Sequence, residues 1–142
     1  MIVLDTNVVS EITKANLSPN IGEWFERQDM ESLYLCSPIL MELSYGAEKV
    51  LPRDRSERFF EGFDYLMRHQ FAGRILQLDQ DSALLTGRIR ARRERIGHQI
   101  SVQDAMIAAV CLIHGATLAT RNIKDFQGLD IRLVNPFEGG SA

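Results

Sequence analysis

The chain has 142 residues, of which 45% are hydrophobic and 25% are charged, and its formal net charge at pH 7 is -3. This is the composition of one globular domain, which at this length forms an apolar core without disulfides or a structural metal. The two cysteines lack a CxxC spacing, which excludes a zinc cluster or a disulfide framework and predicts a cytoplasmic protein. No apolar run reaches about 18 residues and an acid interrupts the first one, so we expect no signal peptide and no membrane segment. The acidic excess also argues against broad nucleic-acid binding, which relies on Lys and Arg.

Apolar runs and helix-like spacings alternate along the chain. Strands are predicted at residues 1–4, 33–36, 75–78, 117–119 and 131–134, and helices at residues 8–14, 19–28, 39–50, 54–69, 80–96 and 105–113. The third helix is expected to begin with Ser37 as N-cap and Pro38 as first residue, and to end before Pro52. This alternation predicts a three-layer α/β/α fold with a mainly parallel central sheet of about five strands. We expect residues 1–138 to form a single domain and residues 139–142 a flexible C-terminal tail.

Two carboxylates stand at positions where an ordinary surface acid is not expected. Asp5 directly follows the first predicted strand, and open α/β sheets bind ligands at the carboxyl ends of their strands. The structural alternative is a helix cap, which Asp5 or Asn7 provides equally well. Glu42 borders the apolar stripe of its predicted helix, so it is hard to keep fully in water. A half-buried glutamate needs a cation or hydrogen bonds, and its structural alternative is a salt bridge with Lys49 or an arginine.

Further polar residues fall at the same predicted edge of the sheet. Asp104 lies in the first turn of the most apolar predicted helix, where a Ser-x-x-Asp pattern beginning at Ser101 also suits a helix cap. A polar segment follows the strand at residues 117–119, and it contains Thr120, Arg121, Asn122 and Asp125. Asn122 alternatively caps a short turn that has Asp125 in its first turn.

Carboxylates that converge at one sheet edge repel one another and raise each other's pKa unless a cation neutralises them. Ligand sets made only of oxygen select hard divalent ions such as Mg2+ or Mn2+. Such an ion holds phosphates and activates water for in-line attack. The pattern therefore predicts metal-assisted hydrolysis of a phosphoester.

Four motifs together resemble a known family. They are LDTNVVSE at residues 4–11, SPILMELSYGA at 37–47, ISVQDAMIAAVCLIHGATLATRNIKDF at 100–126 and VNPF at 134–137. In this order and at these distances they resemble a PIN-domain ribonuclease of the VapC toxin family, close to its FitB-like members. The resemblance implies an Mg2+- or Mn2+-dependent endoribonuclease that is the toxin of a type II toxin–antitoxin pair. It also implies an RNA substrate, a VapB-like antitoxin partner, a homodimer, and contact with DNA only through the antitoxin.

The resemblance also carries site residues over to this chain. Asp5 and Asp104 match the principal metal ligands, and Glu42 completes the cluster directly or through water. Relatives differ at the fourth acid, for which we choose Asp125. The supporting positions are Thr6, Asn7, Thr120 and Asn122, of which Asn122 is a polar helper to Asp125.

One stretch departs from the acidic balance of the chain. Residues 88–98 contain five arginines and one glutamate, a local excess of four positive charges. Arg88, Arg92 and Arg95 fall on one helix face, as a ridge that follows RNA phosphates requires. The alternatives are a solvated surface helix or a docking face for an antitoxin segment, and Arg121 is a further candidate for RNA or antitoxin contact. His98 is expected to be a surface residue.

Other functional classes find less support in the sequence. A receiver-type phospho-acceptor domain needs paired acids after the first strand, where this chain has only Asp5. A non-catalytic binding module is disfavoured by the presence of all three principal acids. Neither a GxxxxGK[ST] nor a GxGxxG phosphate loop occurs, and the GxSxG elbow of serine hydrolases is absent.

Overall fold

The computed structural model describes residues 1–14, 16–54 and 58–138. Five parallel strands form its sheet: β1 Ile2–Leu4, β2 Leu33–Cys36, β3 Ile75–Leu76, β4 Thr117–Ala119 and β5 Leu133–Val134. Their spatial order is β3-β2-β1-β4-β5. All five lie within predicted strands, and the third and fifth are shorter than expected. The predicted tail, residues 139–142, lies outside the described residues.

Seven α-helices are present in the described residues: α1 Thr6–Ile12, α2 Pro19–Glu26, α3 Ser37–Asp54, α4 Arg58–Tyr65, α5 Gln80–Arg95, α6 Val102–His114 and α7 Ile123–Phe126. A π-helical turn, Leu66–Gln70, follows α4, and a 3-10 turn, Met30–Ser32, precedes β2. The helix predicted at 54–69 therefore corresponds to α4 and the π-helical turn, and its residues 55–57 lie outside the described residues. No helix in the described part of the chain is long and apolar enough to cross a membrane.

Two details of the third predicted helix are wrong. This helix, α3, continues past Pro52 to Asp54, because a proline in the last turn removes only one backbone hydrogen bond from a helix that is about to end. Ser37 is the first helical residue, and its Oγ accepts a hydrogen bond from the backbone N–H of Leu78 at 2.9 Å. The Ser37 hydroxyl thus connects α3 to the segment after β3.

The strand order reverses at the centre of the sheet. From β1 the chain moves outward to β2 and β3, then crosses back over β1 to β4 and β5. Because such crossovers are right-handed, the helices before and after β3 lie on opposite faces, which confirms the predicted three-layer fold. The reversal places the carboxyl ends of β1 and β4 side by side, and α/β folds bind ligands at this point.

The core lies around β1 and β4. Val3, Leu4, Leu118 and Ala119 are fully buried and form the centre of the sheet. Both cysteines are free and buried. Burial, followed by the charges of Asp5 and Glu42, raises the pKa of Cys36 to about 12, so this thiol is unreactive at neutral pH. The cytoplasmic location stays a prediction.

Candidate active site at the carboxyl edge of the sheet

Asp5 is the most buried carboxylate of the site. It follows β1, and its backbone N–H continues the sheet by donating to the Ala119 carbonyl at 2.9 Å. Only 4% of the residue is exposed. Burial raises the pKa of Asp5, whereas hydrogen bonds from Thr120, Thr6 and Asn7 lower it and the charge of Asp125 raises it further. Asp5 also occupies the N-cap position of α1, so the structural alternative is confirmed, and the site role of Asp5 stays a prediction.

The two carboxylate oxygens of Asp5 have different hydrogen-bond partners. Oδ1 accepts from the Thr6 backbone N–H at 2.8 Å. Oδ2 accepts from the Thr120 hydroxyl at 2.7 Å and from the Asn7 amide at 3.4 Å. A carboxylate oxygen has two lone pairs, so Oδ1 keeps one of them for a further partner. Thr120 and Asn7, which were predicted as supporting residues, therefore both contact the Asp5 carboxylate directly.

Thr120 and Asn7 also connect Asp5 to the segment after β4. The Thr120 hydroxyl accepts from the Asn122 backbone N–H at 3.0 Å, and the Asn7 side-chain oxygen accepts from the Arg121 backbone N–H at 3.1 Å. Asn122 occupies the N-cap position of α7 without a side-chain capping bond, so its proposed capping role is wrong. The side chain of Asn122 is exposed beside the site.

Glu42 lies in the second turn of α3, whose first turn begins where β2 ends. Burial, then the charge of Asp5, raises the pKa of Glu42, and the polar side chain of Gln103 lowers it. The alternative of a salt bridge with Lys49 is wrong, because Lys49 Nζ lies over the Tyr45 ring, 5.1 Å from its centroid. No ion pair involving Glu42 is found among the described residues.

Asp104 lies in the first turn of α6, whose N-cap is Ser101; the Ser101 hydroxyl accepts from the Asp104 backbone N–H at 3.0 Å. The capping pattern is therefore real, and its hydrogen bond uses the Asp104 backbone N–H. Burial raises the pKa of Asp104 to about 6, with further increases from the charges of Asp5, Asp125 and Glu42 and a decrease from the Ser101 hydrogen bond. The charges of the other three predicted acids thus all reach Asp104 at this edge of the sheet.

The donor set at this edge, made of carboxylate and hydroxyl oxygens, has the chemistry that a hard divalent ion requires. Within residues 1–14, 16–54 and 58–138, no three His, Cys, Asp or Glu side chains lie close enough to share one ion. Mg2+ commonly binds one or two carboxylates and keeps several waters, so a set with two direct ligands is sufficient. The Thr6 hydroxyl oxygen is buried and has no hydrogen-bond partner in the described chain. A divalent ion or its bound waters would give the buried Thr6 hydroxyl a partner. The positive charge of the ion would also lower the raised pKa values of the carboxylates.

The predicted arginine ridge is exposed, since Arg88, Arg92 and Arg95 all lie on the open side of α5. Arg121 is also exposed, and its guanidinium carbon lies 3.8 Å from the centroid of the Phe137 ring. Stacking of this kind fixes the cation and leaves its in-plane donors open to solvent. His98 is exposed, as predicted.

The sequence analysis missed two residues that organise the site. Arg93 was counted among the surface arginines, yet only 3% of it is exposed. It continues the buried positions Ser82, Thr86 and Ile89 of α5 at spacings of one helical turn, and this periodicity was the available signal. Gln103, beside Asp104 in α6, donates to the Pro38 carbonyl at 2.6 Å and so connects α6 to the start of α3.

Comparisons with known proteins agree with this architecture. The family model described as PIN domain matches residues 2–131. The VapC ribonuclease Y4jK of Sinorhizobium fredii is 33% identical over 97% of the chain and 99% of the relative. The toxin FitB of Neisseria gonorrhoeae is 31% identical over 96% of the chain and 99% of the relative. A solved structure of FitAB bound to an IR36 DNA fragment superposes with a TM-score of 0.88 at 30% identity, covering 99% of each chain.

Proposed function

Because the chain belongs to the PIN-domain family, in the branch of the VapC and FitB toxins, we propose that it is a toxin-type endoribonuclease whose site is the acidic cluster described above. The observation that carries this proposal is the placement of Asp5 after β1, Glu42 in the second turn of α3 and Asp104 in the first turn of α6, where the strand order reverses. The charge of Asp5 raises the pKa of both Glu42 and Asp104, which supports their proximity. The single-domain boundary at residue 138 stays a prediction, to which the match over residues 2–131 adds support.

Divalent-metal dependence is general among PIN-domain VapC nucleases, and Mg2+ or Mn2+ is our choice for this chain. Asp5 and Asp104 are the proposed direct ligands, with Glu42 and Asp125 acting through water. When bound, such an ion lowers the pKa of a water and neutralises phosphate charge. Thr120 and Asn7 orient Asp5 through Oδ2, which leaves the free lone pair on Oδ1 for the ion. Thr6 supplies a buried hydroxyl beside this position.

The preferred substrate is proposed to be single-stranded or loop RNA, since proteins that recognise specific RNA sequences mostly bind unpaired segments. Arg121 directly follows Thr120 in the chain, its guanidinium lies over the Phe137 ring, and it is a candidate phosphate contact. Arg88, Arg92 and Arg95 are proposed to extend this contact along α5.

Purified protein freed of any partner is therefore expected to cleave a single-stranded or hairpin-loop RNA when Mg2+ or Mn2+ is present. The measurement is gel electrophoresis of labelled RNA, with duplex RNA and single-stranded DNA of the same sequence as matched substrates. Equal cleavage of the DNA strand would contradict the assignment to RNA. A non-catalytic PIN domain, the remaining alternative, predicts no cleavage of any of these substrates.

Asp125 and Asn122 compete for the role of fourth polar group. Asp125 influences the pKa of both Asp5 and Asp104, so Asp125→Asn is expected to lower the cleavage rate by about 10- to 100-fold. Asn122→Ala is expected to lower it by less than about 3-fold, because its side chain makes no capping bond. Rates for both variants under saturating metal decide the question, and a larger loss for Asn122→Ala would reverse the assignment.

A partner antitoxin is proposed to bind the groove between α1, α3 and α4. This groove has a volume of about 740 Å³, and its lining includes the apolar residues Val9, Leu43 and Phe63 together with Thr6 and Glu42 of the site. A segment lying there covers part of the acidic cluster, which accounts for inhibition. The related FitB is found with FitA on DNA, and we propose that this chain likewise reaches DNA only through its antitoxin.

A homodimer also stays a prediction, and exposed Met41 and Tyr45, one turn apart on α3, offer an apolar surface for it.

A further inference from the structure

Arg93 is a buried cation without a carboxylate partner in the described part of the chain. Its Nη2 donates to the carbonyl oxygens of Gln127 at 2.8 Å and Asp125 at 3.1 Å, and its Nη1 donates to the carbonyl of His98 at 3.4 Å. A buried charge is costly unless hydrogen bonds compensate it. In the described residues, the hydrogen bonds that compensate the buried charge of Arg93 all go to backbone carbonyls. Arg93 therefore connects segments of the main chain and is not part of a surface ion pair.

Two of these carbonyls lie at the end of a helix, where a partner is needed, and the third lies in the loop that follows a helix. Asp125 and Gln127 stand at the C-terminal end of α7, and His98 follows the end of α5. The last carbonyls of a helix have no partner within the helix and carry partial negative charge. A guanidinium with several donors in one plane suits such a group better than an ammonium does.

The helix that Arg93 contacts cannot determine its own position. With only four residues, α7 is far shorter than a helix that is stable by itself. Its anchors include the buried Phe126 ring, the Arg93 bonds and the hydrogen bond from the Asn122 backbone N–H to Thr120. Because Arg93 bonds to the main-chain carbonyl of Asp125, it constrains the backbone position from which the Asp125 carboxylate extends.

We propose that Arg93 is a positioning residue that clamps α7 to α5 and thereby holds Asp125 at the acidic site. The catalytic part of this inference rests on the proposed function, whereas the clamp itself does not. Arg92, its exposed neighbour on the same helix, has no such role and provides a matched control.

The clamp is tested without activity by hydrogen–deuterium exchange of the full chain. In Arg93→Lys, peptides covering residues 122–128 are expected to exchange about tenfold faster, while peptides of β1 and β4 keep their protection. In Arg92→Lys, exchange is unchanged throughout. Unchanged exchange at 122–128 in Arg93→Lys, or uniformly faster exchange across the chain, would overturn the clamp.

The link to Asp125 is tested by a double-mutant cycle on RNA cleavage. Arg93→Lys is expected to lower the rate by about 10-fold in the wild-type background and by less than about 2-fold when Asp125→Asn is already present. Equal losses in the two backgrounds would show a role that does not pass through Asp125. If Asp125→Asn retains full activity, the proposed function of Asp125 fails while the exchange result still decides the clamp.

A second, uncharged variant keeps the test valid if Arg93→Lys does not fold. Arg93→Gln removes the buried charge and keeps donors, so it is expected to fold and to show the same local increase in exchange at residues 122–128. If neither Arg93→Lys nor Arg93→Gln folds, Arg93 is a general requirement of the core, and the proposal of a local clamp is wrong.

Discussion

Asp5→Asn is expected to lower RNA cleavage by more than about 100-fold while leaving the protein folded, a loss beyond that of residues that only support a metal ligand. Asp5 accepts three hydrogen bonds and has a free lone pair on Oδ1, so it is the best-oriented ligand of the site. Asparagine has nearly the same shape, but it has no charge and only one acceptor oxygen. The measurement is the initial cleavage rate at saturating Mg2+ or Mn2+.

The matched control for Asp5→Asn is Asp81→Asn, which makes the same substitution at an exposed acid in the first turn of α5. Its cleavage rate is expected to stay within about 2-fold of the wild type, since exposed substitutions remote from a site have small effects. Activity that survives in Asp5→Asn would remove the acidic cluster from the mechanism.

Asp104→Asn is expected to have opposite effects on activity and stability. Cleavage falls by about 100-fold or more, because a proposed direct ligand is lost. In excess EDTA, however, the free energy of unfolding rises at neutral pH. The pKa of Asp104 is raised to about 6 in the folded chain from an ordinary value of 3.8. Between these two values the folded chain holds a proton that the unfolded chain has released, so stability falls as pH increases through this window.

Asparagine does not titrate and therefore escapes this loss. The advantage of Asp104→Asn over wild type in EDTA is expected to increase by about 1 kcal/mol between about pH 5 and about pH 7.5, with partial exposure limiting its size. Urea unfolding of both proteins at the two pH values provides the measurement. A variant that is less stable than wild type at the higher pH would contradict the raised pKa of Asp104.

The order of elements and the position of the acids were predictable from the sequence for a simple physical reason. Buried parallel strands are short apolar runs, and the residues that end them emerge at one edge of the sheet. Asp5 and Thr120 follow this rule directly, and Asp104 lies at the same edge because α6 runs antiparallel to β4, which it precedes. The family resemblance assigned the roles within this set.

The features that the sequence analysis missed depend on tertiary contacts. Arg93 has the same residue type as its exposed neighbours in the sequence. Which carbonyls it binds depends on how α5 packs against the end of α7, which the sequence does not show. Ser37 has the sequence pattern of a cap, but its hydroxyl accepts from Leu78, 41 residues away. Pro52 normally ends a helix, yet one missing N–H in a final turn is tolerated.

The net charge of -3 proved to be a poor guide to the partner of this chain. Part of the acidic excess is concentrated in the site, where the proposed divalent ion would offset it. The cations are concentrated on α5, where Arg88, Arg92 and Arg95 are exposed. The total charge therefore conceals a distribution that suits an RNA substrate.

The central claim is that Asp5 and Asp104 act through a divalent ion to cleave RNA. Its most direct test is the cleavage rate of partner-free protein in excess EDTA, followed by titration of Mn2+ or Mg2+ beyond the chelator. The account predicts no cleavage in EDTA and recovery on addition of metal for the wild type, with no recovery for Asp5→Asn. Sustained cleavage by the wild type in excess EDTA would contradict it.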